Sequence, residues 1–440
     1  MTCPAAFISY LKEEKMKRLL ALFLSFTCMI LPGCSAEQSG AGEKQKTLTV
    51  YSTISSDSER AVFRKLADSF QKEHPDIQVN VHFPGNDYEN MMRVRMAAGD
   101  MPDLFDTHGW AKIRYEEYTA DLSGMSWTKR LDPNLNSMLK DAKGRIYAFP
   151  LNQAKDGLAY NRTLLEKYGI KPPETMDDFM KALRQIKEKS GGTVTPFWFA
   201  GYEKSSFAQY YDQFAAPLLI TDPAHRYKKQ LLNGTFRWTH FTYLSDKLKE
   251  MQKENLLNID AVTAKRSQLI ELMAQNKIAF TLQGGTLGQD VAQINPKVKV
   301  GIIPTPAVHK GDAPVWIGGE RYTLAAFKDS PRLKEAKQFI AFMARPEHAK
   351  SIAEATSLPA GLVNVQTDIF YANDYKRYQH IKVQPYFDRL YLPNGMWDVM
   401  GTAGQELMAD ILTPAEISAK LGREYKRLRL QSDSQGAEKE

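Results

Sequence analysis

The chain has 440 residues, 43% of them apolar, with 58 Lys and Arg against 51 Asp and Glu, so it carries more hydrophobic mass than one ordinary core and a net charge of only +7. Its basic residues are spread along the sequence without a basic run interleaved with aromatics, which excludes a nucleic-acid partner. The cysteines Cys3, Cys28 and Cys34 all precede the first predicted strand, leaving the globular part no thiol for a disulfide framework, a zinc cluster or a cysteine nucleophile.

At the N-terminus, Lys17 and Arg18 precede a run of apolar and small residues from Leu19 to Leu31, then Gly33 and Cys34. The run is too short for a bilayer span, which needs ~20 residues. A basic start, a short apolar stretch and a small residue before the cut read as an export signal over residues 1–33, with Met16 the expected start. Leu31-Pro32-Gly33-Cys34 resembles a bacterial lipobox, which implies lipidation of Cys34 and a lipid anchor on the extracellular face of the cell membrane. An ordinary secretory signal with an incidental Cys34 is the alternative. Residues 34–46 are small and polar, as in a flexible tether, and residues 431–440 read as a disordered tail.

Leu48–Tyr51 is the first predicted strand, followed by the polar loop Ser52–Ser58. Ser56 and Glu59 have capping-box spacing and open a helix with Val62, Leu66 and Phe70 on one stripe and Phe63 beside it. Ile77, Val79, Val81 and Phe83 then alternate with Gln78, Asn80 and His82, completing a βαβ unit with parallel strands. Ligands collect at the carboxyl ends of such strands, which places Tyr51–Asp57 and Pro84–Asp87 at a candidate site. The alternation of strands and helices continues through Asp141–Pro150, a helix opened by Thr175 and Asp178, and an amphipathic region around 240–280. Val298, Val300 and Ile302 alternate before Pro304 and Pro306, prolines that end a strand and stiffen a crossing between lobes. No internal repeat and no HExxH, Walker A, GxGxxG or GxSxG pattern occurs.

The stretch Met96-Ala97-Ala98-Gly99-Asp100-Met101-Pro102-Asp103-Leu104-Phe105 resembles the signature of the extracellular solute-binding proteins of carbohydrate ABC importers. Further landmarks follow in family order: Tyr147–Pro150, Gly157–Asn161, Lys277–Phe280 leading to Gln283-Gly284, and Gly301–Pro304. Phe83–Tyr88 and Trp316–Arg321 are similar to the lipoproteins of raffinose and melibiose uptake systems. The resemblance runs from Thr47 to Leu430. It implies an α/β, two-lobed, periplasmic-binding-protein-like fold with a ligand cleft between lobes 47–152 plus 304–355 and 155–300 plus 357–430. The implied function is capture of an oligosaccharide, of the α-galactoside class of melibiose, raffinose and stachyose. Delivery is to importer transmembrane subunits served by a cytoplasmic ATPase, by a monomer without enzymatic activity, cofactor or metal. One departure stands out, since Gly285 and Thr286 replace the tryptophan that the family often carries after Gln283-Gly284.

A sugar presents hydroxyls at its edge and apolar C–H faces, so its site needs aromatic planes and fixed polar groups. The candidate planes are Trp110, Trp316 and Trp397, then Trp198, whereas Trp127 and Trp238 read as structural. Candidate polar partners are Asp106 and His108 on the loop after the Pro-Asp strand, Asn86, Gln283 with Gly284, and Glu320 and Arg321, which alternatively pair with each other. Gly318 and Gly319 allow a close backbone approach to a sugar or else a tight turn. Two other functions compete: a secreted glycosidase with paired carboxylates, and a ferric-iron binder using Tyr210-Tyr211 with a histidine and a carboxylate.

Overall fold

The computed structural model describes residues 45–437 except Gln283, and does not describe the side chains of Asn86 and of residues 432–437. The expected signal, Cys34 and nearly all of the tether lie outside the described residues. Strand β1 (Lys46–Tyr51) pairs in parallel with β2 (Ile77–His82), from Lys46↔Ile77 to Tyr51↔His82, so Lys46 belongs to the sheet and not to the tether. The helix between them, Asp57–Glu73, is capped by Ser56, whose hydroxyl accepts the Glu59 N–H at 3.2 Å. Its buried face is Phe63, Leu66, Ala67 and Phe70, an i, i+3, i+4, i+7 stripe. Val62 is only partly buried, so the face is rotated by one position from the expected line.

The signature segment acquires a physical explanation here. Helix Tyr88–Ala98 ends at Gly99 with φ 65°, a left-handed conformation that glycine adopts without cost, and the chain turns into β3 (Leu104–Phe105). Ahead of β3, the buried Asp103 carboxylate accepts from the Thr49 N–H at 2.8 Å and hydroxyl at 2.9 Å, Ser330 Oγ at 2.6 Å and Arg332 Nε at 3.2 Å. Burial opposes its ionisation, but the bonds from Ser330 and Thr49 and the Arg332 charge hold it below the usual carboxylate range. The Asp of the signature thus fastens β1 to its neighbours.

The remaining strands are β4 (Phe149–Pro150), β5 (Gln153–Asp156), β6 (Leu158–Asn161), β7 (Thr195–Trp198), β8 (Ile278–Thr281), β9 (Val300–Ile303), β10 (Trp316–Glu320), β11 (Thr323–Ala326) and β12 (Val383–Pro385). They form three sheets. The first lobe holds β2-β1-β3-β11-β4 and the second holds β7-β8-β6-β9, each with its own core. The third sheet, β12-β10-β5, joins the lobes: β5 and β10 cross between them, and β12, set between second-lobe segments, pairs along β10. β10 runs antiparallel to β5, from Ile317↔Asp156 to Glu320↔Gln153, and parallel to β12, from Trp316↔Val383 to Gly318↔Pro385.

Gly318 and Gly319 serve this sheet, which corrects their expected approach to a sugar. A Cβ on Gly318 would lie 2.0 Å from the Ala154 carbonyl oxygen, and one on Gly319, at φ 144°, would lie 2.2 Å from Met138 Sδ. The crossings also fall later than expected. Ala307 bridges to Thr175 and Thr305 Oγ1 accepts from Gln213 Nε2 at 2.9 Å, so residues 304–315 stay with the second lobe and the crossing is β10 itself. Leu362 bridges to Leu131 and packs in the first core, whereas Ile369 packs in the second lobe, so residues 357–365 remain with the first. Helix Pro414–Ala437 continues through most of the expected tail: Ile417, Leu421 and Tyr425 fix its buried face, and Arg427 Nη1 donates to Gln431 Oε1 one turn on.

Candidate ligand-binding cleft

Between the lobes opens a cleft of about 740 Å³. His108 and Trp110 form its first-lobe wall, and Gln209, Arg266, Leu287, Asp290 and Trp397 stand on the second-lobe side. Its floor is the crossing region, with Asp156 from β5, Arg321 after β10, and Tyr386, Asp388 and Arg389 after β12.

The first-lobe wall is positioned by the loop after β3. Asp106, completely buried, accepts through Oδ1 from the His108 N–H (2.9 Å), the Thr323 N–H (3.0 Å) and the Thr323 hydroxyl (2.9 Å). Its Oδ2 accepts from the Thr53 N–H (3.4 Å) and hydroxyl. With both oxygens occupied, Asp106 holds the loop and reads no ligand, a correction to its expected role. His108, at φ 48°, places Nδ1 2.8 Å from Glu89 Oε1. Burial pushes the imidazole below its usual range against the Glu89 bond, so a neutral ring donates its Nδ1–H to Glu89 and keeps Nε2 for the cleft. For Glu89, burial opposes ionisation, but the His108 bond and the Arg114 charge outweigh it and lower its pKa. Arg114, ion-paired with Glu89, lies 4.1 Å from the centre of the Trp110 ring and fixes that plane.

At the floor, the Arg389 guanidinium lies 4.3 Å from the Tyr386 ring centre and 5.3 Å from that of Trp110, reaching across the two lobes. It passes against Gly109, at φ 88°, where a Cβ would sit 2.3 Å from Arg389 Nη1. Buried carboxyls surround it. Asp156 accepts from Tyr386 OH at 2.7 Å, and Asp388 donates its backbone N–H to Asp212 Oδ1 at 2.7 Å. Burial raises Asp156, Asp212 and Asp388 above the usual carboxylate range. Glu320 is pushed up to about 7 by burial, against the pull of Arg389. Among the described residues, both Glu320 carboxyl oxygens and Arg389 Nη1 have no hydrogen-bond partner, whereas the raised Asp212 and Asp388 carboxyls bond to each other. Such groups are costly to bury alone.

Glu320 makes a testable contribution to pH dependence. Its folded pKa of about 7 exceeds the ordinary 4.5, so the folded chain keeps a proton that the unfolded chain releases between those values. The resulting penalty is absent below pH 4.5, grows as pH rises through that window and is complete above 7, at roughly 3 kcal/mol. Glu320→Gln removes the titration, so its melting temperature should exceed that of the wild type at pH 8 and converge with it near pH 4.5. Parallel melting-temperature profiles would contradict the assignment.

The other expected site residues divide. Trp397, partly buried on helix Met396–Met408, lies at the cleft, as do Gly284 and Arg321. Trp316 and Trp198 do not: both are buried in the second-lobe core, where Trp316 packs on Tyr375 and Tyr378 and its strand is covered on both faces. Glu320 faces a small cavity beside Arg389 and Met138 and not the cleft. Gln283 and the Asn86 side chain lie outside the described residues. In place of the missing tryptophan, Gly285 adopts φ 54° and Thr286 Oγ1 donates to Asp290 Oδ2 at 2.7 Å, leaving a small polar wall. Tyr210 and Tyr211 are completely buried; Tyr210 donates to the Leu244 carbonyl and Tyr211 shares a hydrogen bond with Ser245 Oγ, each at 2.9 Å, which overturns the iron-ligand reading. Sequence reasoning missed Asp156, Tyr386, Asp388 and Arg389; the signal for the last three was a charged pair set among aromatics in Tyr386-Phe387-Asp388-Arg389.

Two α/β lobes joined through a shared three-stranded sheet, with a polar, aromatic-walled cleft over the joint, define a two-lobed ligand-binding protein. The model of the bacterial extracellular solute-binding proteins matches residues 55–350, and the chain belongs to that family. It is 76% identical over 423 residues to the melibiose/raffinose/stachyose-binding protein MelE of Bacillus subtilis, covering 96% of this chain and 99% of that one. Among solved structures, a Bacillus subtilis putative binding protein in an open conformation is 78% identical, with a TM-score of 0.87 over 89% of this chain and 99% of that chain. A Bacillus licheniformis sugar transporter in complex with stachyose is 59% identical, with a TM-score of 0.79 over 87% of this chain and all of that one. No helix among the described residues is long and apolar enough to cross a membrane.

Proposed function

We propose that the chain is the substrate-binding component of an ABC importer and captures α-galactosides such as melibiose, raffinose and stachyose in the cleft. The observation that carries this reading is the floor: Asp156, Asp388 and the Arg389 guanidinium, whose Nη1 is short of partners among the described residues, set beside the planes of Trp110, Tyr386 and Trp397. A ligand rich in hydroxyls supplies the missing partners, and its C–H faces cover the rings. The relative named for these three sugars and the stachyose-bound relative support the same choice. Cys34 carries the lipid anchor, holding a monomer at the outer face of the membrane; an unmodified Cys34 in the mass spectrum of the cell-derived protein would overturn this.

The reading is of a binder without catalysis. A ligand of the wrong configuration leaves a buried group unpaired at a cost of ~1–3 kcal/mol, or roughly 5- to 150-fold in affinity. Calorimetry against melibiose, raffinose, stachyose, maltose, xylobiose and galactose should therefore rank the α-galactosides first, with the sugars recovered intact. Tightest binding of maltose or xylobiose would reject the ligand class, and hydrolysis would reject the non-enzymatic role.

A further inference from the structure

We propose that Asp222, His225 and His309, on the second lobe and away from the cleft, form a binding site for one divalent transition-metal ion of the zinc class. Asp222 caps the turn Pro223–His225, with Oδ1 accepting the Ala224 N–H at 2.7 Å, which leaves Oδ2 to face His225 Nδ1 at 3.2 Å. His309 arrives from the segment between β9 and β10 and donates Nε2–H to the Leu218 carbonyl at 2.7 Å. The two imidazoles stack with centroids 3.8 Å apart and planes within 4°, and one donor atom from each of the three side chains falls within 4.8 Å of the others.

The donor set and its surroundings point to a metal. Two imidazoles and one carboxylate suit zinc, nickel, cobalt or copper, and three protein ligands leave a position for water. The carboxylate is oriented by the chain: the Ala224 N–H fixes Oδ1 and leaves Oδ2 toward His225. A tetrahedral ion with bonds of about 2.0–2.2 Å sets its donors about 3.4 Å apart, so the widest separation must close by as much as about 1.4 Å. The His225 side chain is 44% exposed and can turn out of the stack without disturbing the core. Without an ion the cluster remains a hydrogen-bonded turn; with one, the turn is tied to the segment that feeds the crossing strand β10.

The test uses the untagged protein, stripped of metal, titrated with ZnCl2 by calorimetry and with CoCl2 by visible absorption. One zinc per chain and a Co2+ band of low-coordinate type are expected. Asp222→Asn, which keeps the Oδ1 cap, and His309→Ala should each weaken zinc binding by roughly tenfold to a hundredfold or more and abolish the band. Unchanged melting temperatures of the metal-free variants would show that the fold is intact. Absence of stoichiometric zinc binding by the wild type, or variants that bind like it, would overturn the site.

Discussion

Arg389→Ala should lower affinity for stachyose by about 30-fold to 5,000-fold, the range of 2–5 kcal/mol typical for truncating a buried, hydrogen-bonded charge at an interface. Three features concentrate the effect on this residue. Its guanidinium spans the rings of Trp110 and Tyr386, one from each side of the joint, so its loss loosens both planes. It is also the cation facing Glu320 and Asp388, whose pKa values its charge pulls down against burial. Removing it leaves Asp388, which lines the cleft, more firmly protonated and a poorer acceptor for a sugar. Finally, Nη1 lacks a partner among the described residues and is placed to donate. Arg389→Lys keeps the charge but loses the planar stacking and fork, so it should fall between the two. Calorimetry is the measurement, with circular dichroism to establish that each variant is folded; wild-type affinity in Arg389→Ala would remove the residue from the site.

Asp106→Ala should cost about 3–5 kcal/mol of stability and leave the order of sugar preference unchanged. The carboxylate gathers five hydrogen bonds from the loop after β1, the loop after β3 and the start of β11. Truncation abandons the Thr323, Thr53 and His108 N–H groups in a space closed to water, and each unmet donor costs ~1–3 kcal/mol. Asp106→Asn should also destabilise, because its amide group turns donors toward donors. Urea unfolding measures the loss. A wild-type midpoint with altered sugar selectivity would return Asp106 to the list of ligand readers.

These two residues also show what the sequence does and does not disclose. Local patterns were readable because their causes are local: Ser56 with Glu59, Thr175 with Asp178, and the glycine that ends helix Tyr88–Ala98 all act within one turn. Trp110, His108, Arg321 and Trp397 were legible as cleft residues. Asp106 was recognised as important but given the wrong work, because its partners Thr53 and Thr323 come from distant segments. Trp316 failed for a similar reason. Its strand looks like a sugar-facing motif next to Gly318 and Gly319, yet both faces are covered, by packing that only the assembled crossing sheet reveals. The floor was the least legible part: Asp156 and Arg389 come from distant segments and carry no shared spacing. Crossing strands of four and five residues are too short for periodicity to locate, which is why the lobe boundaries around residues 304–315 and 357–365 are not legible in the sequence.

The claim that a sugar is held between the lobes over a three-stranded joint is tested most directly by small-angle X-ray scattering of the mature protein with and without saturating stachyose. Binding groups on both lobes can be satisfied together only if the lobes approach, so the radius of gyration should fall when the sugar is added. An unchanged profile under conditions where calorimetry shows full occupancy would contradict it.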